Sequence, residues 1–268
     1  MRRSRLTAYL FSTLLAVGFS STGAATAQAS QLSAAGGYVA LGDSYSSGVG
    51  AGGYIGSSGA CDRSTNAYPY LYDAAHAPSP FAFNACSGAT TDDVRASQLG
   101  PLSSSTGLVS ISIGGNDAGF ADVMTTCVLS SDSTCLSRIG TARSYVTSTL
   151  PGKLDTLYSE IRAKAPSARV VVIGYPRFYK LGTTCAGLSR TKRSAINDAA
   201  DRLDSVIAQR AAAHGFVFGD VRTTFNGHEI CSGSSWLHSV NWADVGTSYH
   251  PTAVGQSGGY LPVLNDAS

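Results

Sequence analysis

The sequence predicts an α/β domain of three layers, an α/β/α sandwich with helices on both faces of a central, mostly parallel five-stranded sheet. Two observations carry that prediction. Five apolar runs recur along the chain: "YVALGDS" (38–44), "FAFNACSG" (81–88), "LVSISIGGND" (108–117), "ARVVVIGYP" (168–176) and "GFVFGDV" (215–221). They are largely continuous rather than cleanly alternating, as strands covered on both faces are. Helical periodicity fills the gaps between them, and strand alternating with helix implies a doubly wound sheet.

The N-terminus comes before any of these elements. Arg2, Arg3 and Arg5 precede an apolar stretch at 6–19, and Ala27-Gln28-Ala29 follows as a small-x-small site. This reads as a secretory signal over 1–29, cleaved after Ala29. The apolar stretch is too short to span a bilayer comfortably, which argues against a stable membrane anchor. The mature chain, 30–268, shows no repeat or long linker and reads as a single domain.

The first strand, 38–44, ends at Gly42-Asp43-Ser44 and enters a glycine-rich loop, 48–60. The second is 81–88. The third is β-branched and ends in Gly114-Gly115-Asn116-Asp117. Apolar positions Val146, Leu150, Leu154, Leu157 and Ile161 then mark a helix that Pro151 kinks or restarts. The clearest buried strand is 168–176. Ser189 is a plausible N-cap for a helix carrying Ile196, Leu203, Val206 and Ile207 on one face, with Gly215 just past its end. The fifth strand, 215–221, follows. In such sheets ligands bind outside the carboxyl ends of the strands. That rule gathers Ser44, Gly88 and Asn116-Asp117 along one edge, since each follows a strand.

Composition bounds the function. The hydrophobic fraction is 43% and charged residues are 13%, enough for a sizeable core and against disorder. The formal charge is +2, from 19 Lys+Arg and 17 Asp+Glu. Loss of Arg2, Arg3 and Arg5 with the signal leaves 16 against 17, or −1. Net charge therefore gives no case for nucleic acid or an anionic membrane as partner. The six cysteines, Cys61, Cys86, Cys127, Cys135, Cys185 and Cys231, read as three disulfides in a secreted protein, with 15 possible connectivities. Without a CxxC pair, and with scattered histidines, they do not suggest a metal site.

A nucleophile-elbow match, Gly255-Gln256-Ser257-Gly258-Gly259, has no preceding strand and no histidine after it, so it is rejected. Ser44 has the right context at the end of a strand, and needs a base. Of the five histidines only His250 sits in a short turn near the C-terminus, followed by Pro251, where a helix can begin. Asp43 and Asp117 read as turn caps or loop supports. His228-Glu229 is more often structural than metal-binding, and His76, His214 and His238 read as surface or satisfied core residues. Tyr175, Phe178 and Tyr179 suit an acyl pocket or the core equally well.

Four stretches, "GDSYS" (42–46), "ACSGATT" (85–91), "GGND" (114–117) and "HPT" (250–252), resemble in order the sequence blocks of the secreted GDSL, or SGNH, hydrolases. The likeness runs from about residue 36 to the end and is strongest to streptomycete extracellular lipases and phospholipases A1. It implies a flavodoxin-like SGNH-hydrolase fold, a secreted ester hydrolase, and Ser44 as nucleophile. It also implies an oxyanion hole from the Ser44 and Gly88 backbone N–H groups and the Asn116 side chain, with His250 as base. Many members carry Asp three residues before the histidine, where this chain has Thr247. The expectation is a Ser44–His250 dyad, with the backbone carbonyl of Thr247 or Ser248 orienting the imidazole. The relatives pair their cysteines in sequence order, implying Cys61–Cys86, Cys127–Cys135 and Cys185–Cys231. The substrates implied are lipid esters, namely acylglycerols, phospholipids and short- to long-chain esters, cleaved by a monomer without cofactor or metal. A phospholipase A1 preference, a carbohydrate O-deacetylase and an inactive secreted binding module are the alternatives.

Overall fold

A computed structural model describes residues 36–268; the proposed signal at 1–29 and its cleavage site lie outside the described residues. Five parallel strands form one sheet in the order β2-β1-β3-β4-β5, with β1 Gly37–Gly42, β2 Phe81–Phe83, β3 Thr106–Ser112, β4 Arg169–Ile173 and β5 Val217–Gly219. From β1 the chain steps outward to β2, then crosses back to β3 on the other side. The β1/β3 boundary is thus the point where the winding reverses, and a crevice opens there at the carboxyl ends. Leu41 pairs with Ile111 and Gly42 with Ser112, so the two strands end level at that crevice. An added Cβ at Gly42 would lie 2.5 Å from the Ser112 carbonyl oxygen, so the closeness of this pair requires glycine.

Every residue of β1 is buried, and the Tyr38 hydroxyl satisfies itself on Ser110 Oγ at 2.7 Å. The strands are shorter than their apolar runs. Beyond the strand ends the backbone leaves the ladder to build the crevice: Cys86 N–H donates to Gly42 O (3.0 Å) and Asp43 N–H to Ser112 O (3.0 Å).

The helices are α1 Ser44–Ser47, α2 Tyr68–His76, α3 Thr91–Ser97, α4 Phe120–Leu129, α5 Asp132–Ser148, α6 Leu150–Lys164, α7 Arg190–Ala213 and α8 Leu261–Ala267. The periodic stretch 146–161 is divided between two of them. Val146 closes α5, and Pro151 sits in the first turn of α6, where its missing N–H costs nothing. Ser189 caps α7 by accepting the Lys192 N–H at 3.2 Å. Pro251 itself bridges Leu237, and helical winding begins two residues on, at Ala253, passing through a π-type turn over Gly255–Tyr260 into α8.

Three disulfides join Cys61–Cys86, Cys127–Cys135 and Cys185–Cys231. The first ties the loop after α1 to the segment carrying Gly88, and the second staples α4 to α5. No helix among the described residues is long and apolar enough to cross a membrane.

Candidate active site

Ser44 lies at the crevice because β1 stops at Gly42 and the chain turns at once into one turn of helix. Asp43 caps that turn, its carboxylate accepting the Tyr45 N–H at 3.0 Å, and Gly48 ends it in a left-handed conformation. Ser44 Oγ stands 2.7 Å from His250 Nε2, across 206 residues of sequence. The other ring nitrogen, Nδ1, lies 3.0 Å from the Ser248 carbonyl oxygen. A carbonyl only accepts, so Nδ1 carries the proton and Nε2 presents a lone pair to the serine hydroxyl. Of the two carbonyls expected to orient the ring, Ser248's is the one within hydrogen-bonding distance of Nδ1. Thr247's carbonyl takes the His250 backbone N–H at 3.2 Å. The Asp244 side chain is exposed and makes no hydrogen bond to His250; Asp244 meets the loop through its backbone oxygen, which accepts from Thr247 N–H and Oγ1.

Burial pushes the His250 imidazole down to a pKa of about 4, so the ring is neutral at ordinary pH. Its seat is made by Tyr45 of the first sequence block and by residues outside all four blocks. The Tyr45 ring packs 5.2 Å from the imidazole, and the Tyr45 hydroxyl donates to the Tyr249 carbonyl at 2.8 Å. Gln256 is fully buried, accepting the Tyr68 N–H and donating to the Tyr45 carbonyl, both at 3.0 Å. His238 exchanges backbone bonds with Tyr249 and His250, and its Nε2 reaches the Gly50 carbonyl at 2.8 Å. Gly50 is needed there: an added Cβ would come within 3.0 Å of His250 Cβ, at a φ of +86°.

The expected oxyanion donors come from three loops, of which Ser44 and Asn116 line one cleft. Neither the Ser44 nor the Gly88 backbone N–H has an acceptor among the described residues. Gly88 holds φ +78°. Asn116 lines a cleft with Ser44; its Nδ2 gives one N–H to the Ala89 carbonyl at 3.0 Å and keeps the other free. Asp117 holds the Thr91 N–H (2.9 Å) and Oγ1 (2.6 Å), locking the 114–117 loop to the segment that carries Gly88. Asp43 is buried, which pushes its carboxyl up to a pKa of about 6; Tyr175, Ser112 and the Tyr45 N–H satisfy it. Both acids thus support loops.

Beside Ser44 opens a cleft of about 710 Å³ including its mouth, walled by Phe120 and Met124 of α4, Ile139 and Val146 of α5, and Ile196 and Leu203 of α7. Tyr175 and Phe178 line it. Tyr179 does not, and bonds its hydroxyl to Tyr249 instead, at 3.0 Å. Of the α4 and α5 walls the sequence marks only Val146; the spacing of Phe120, Val123, Met124 and Cys127 is the helical signal for α4. His228 stacks on Trp236 and Glu229 accepts the Gly227 N–H, so the pair shares no common point.

Residues 40–257 match the model of the GDSL-like Lipase/Acylhydrolase family. Over the full length of both chains the protein is 75% identical to Lipase 1 of Streptomyces coelicolor. Two solved structures superpose with a TM-score of 0.86 over 87% of this chain and 100% of theirs. They are phospholipase A1 from Streptomyces albidoflavus NA297, 66% identical, and an extracellular lipase from Streptomyces rimosus, 64% identical. Fold and relatives define the class first, an ester hydrolase built on a flavodoxin-like parallel sheet. Within that class, the chain belongs to the GDSL-like Lipase/Acylhydrolase family.

Proposed function

We propose that this protein hydrolyses carboxylic esters of lipids by acyl transfer through a Ser44–His250 dyad. The observation that carries the reading is the 2.7 Å contact between Ser44 Oγ and the unprotonated Nε2 of His250, its tautomer set by Ser248. In the first half-reaction Nε2 takes the hydroxyl proton as Oγ attacks the ester carbonyl carbon. The negative charge on the former carbonyl oxygen falls to the N–H groups of Ser44, Gly88 and Asn116. The imidazolium returns its proton to the departing alkoxide, leaving an acyl-serine. Water, deprotonated by the same ring, then attacks the acyl carbon, and the ring hands that proton to Ser44 Oγ as the acid leaves. The Ser248 carbonyl orients the imidazolium and offers it a dipole in place of a full charge. Every group in this sequence comes from one chain, so the reading calls for neither a second subunit nor a cofactor.

The apolar cleft supports an acyl chain as its occupant. Trp242 and Val245, on the loop leading to His250, are 71% and 63% exposed, apolar side chains suited to contact with an aggregated lipid. The relatives bear the names lipase and phospholipase A1, and both preferences fit this site. The extracellular relative and the disulfides support export, with 1–29 as signal and 30–268 as the mature domain.

A fluorophosphonate is expected to modify Ser44 stoichiometrically in the disulfide-intact protein, located by peptide mass spectrometry. Esters of increasing acyl length are expected to be cleaved beyond acetyl. Absence of label from a folded sample would move the inactive binding module ahead; label together with strict acetyl preference would favour the O-deacetylase. Phosphatidylcholine against triacylglycerol separates the two lipid readings.

Asp244→Asn is expected to keep kcat within about twofold, because its carboxylate makes no bond to the imidazole. A loss approaching that of a His250 variant would overturn the dyad.

A further inference from the structure

We propose that Tyr175 is a positioning residue for ester hydrolysis, its hydroxyl fixing the segment that carries Ser44 against the segment that carries Asn116. The proposal rests on the acyl-transfer reading above. Three donors on three separate loops stabilise one oxygen only if the loops keep their mutual distances to a few tenths of an ångström.

Two of the three loop pairs are tied by bonds already described. Asn116 and Asp117 bind the 85–91 segment through Ala89 and Thr91, and Cys86 N–H binds Gly42. Gln98 adds to the latter tie, accepting from Gly42 N–H and donating to Gly42 O at 2.8 and 2.9 Å. The third pair, 42–44 with 114–117, is joined at the strand ends through Ser112. Past Ser112, at the level of the donors themselves, the tie is Tyr175. Its hydroxyl accepts the Gly115 N–H at 3.2 Å and donates to Asp43 Oδ2 at 2.5 Å. One oxygen therefore spans from the residue before the nucleophile to the residue before Asn116.

Tyr175 arrives from the end of β4, outside all four sequence blocks, and is held firmly. Its ring meets Tyr45 edge-on at 5.0 Å, and its backbone N–H donates to Asp204 Oδ1 at 2.9 Å. Asp204 is itself buried, with Oδ2 3.5 Å from Arg222 Nε. Burial raises the Tyr175 hydroxyl well above its ordinary range, keeping it a donor to Asp43. Gly115 belongs to the same arrangement, since an added Cβ there would stand 3.3 Å from the Tyr175 hydroxyl.

The test is a double-mutant cycle of Tyr175→Phe and Asn116→Ala on a soluble nitrophenyl ester, with kcat normalised to sites titrated by fluorophosphonate. Tyr175→Phe keeps the ring packing. It is expected to lower kcat about tenfold or more with KM changed less than about twofold. In the double variant the loss should stay within about twofold of that of Asn116→Ala alone, because the hydroxyl acts through that donor. A structural role would lower the titrated fraction or the melting temperature and multiply fully into the double variant. That outcome, or a Tyr175→Phe enzyme within about twofold of the parent, overturns the proposal. Should Tyr175→Phe not fold, Asp43→Asn removes the charged acceptor from the same bond and is read in the same cycle. Failure of the parent to label at Ser44 would instead sink the acyl-transfer reading, so the two failures are told apart.

Discussion

Replacing His250 by alanine is expected to lower kcat on a soluble ester by roughly 10⁴-fold or more, the scale seen when a serine hydrolase loses its base. The reason lies in the single 2.7 Å contact. No other described side chain hydrogen-bonds Ser44 Oγ, and a free serine hydroxyl is a poor nucleophile. The pH profile belongs to the same prediction. Burial depresses the imidazole to about 4, so the base remains unprotonated well below the usual histidine range. The acid limb of kcat/KM is then expected near pH 4, with activity lost as pH falls through that value. Asp43, raised to about 6, titrates higher, and its ionisation should appear as a separate, shallower step. A single limb near pH 6.5 that vanishes in no variant, or a His250→Ala enzyme with a tenth of the parent rate, would count against His250 as the base.

Asn116→Ala carries the next largest expected effect, a fall in kcat of about 10²–10³-fold with KM little changed, or ~3–4 kcal/mol of transition-state stabilisation. Its free N–H meets charge that exists only after attack, so the ground-state ester gains little from it. The same change strips the Ala89 carbonyl of its donor at 3.0 Å, adding a small stability cost. Single-turnover kinetics check the assignment: acylation should slow while the affinity for substrate holds. If KM rose and kcat held, Asn116 would be a binding residue.

Much of this site is legible in the sequence because its pieces sit on short-range signals. Ser44 and Asn116 each close an apolar run, and a parallel sheet delivers run ends to one edge. The five strands are legible for the same reason, though their ends are not: where the ladder stops at Gly42 or Phe83 depends on which neighbour takes the next N–H. The cleft is less legible than its walls, because apolar positions on α4, α5 and α7 enclose a common space only once Cys127–Cys135 and the packing of α5 on α7 bring them together. Tyr175, Gln256 and His238 carry no local pattern at all. Each works through a partner at least 60 residues distant, a relation that one chain read linearly does not expose.

Gln256 has a consequence for how the molecule comes into being. It fastens the His250 segment to Tyr45 and Tyr68, elements made some 200 residues earlier. Until that last stretch has been synthesised and docked, Ser44 stands at the edge of the sheet beside no base. On the proposed dyad, a polypeptide truncated before His250 is therefore expected to be inactive, hydrolytic power coming only with the finished chain.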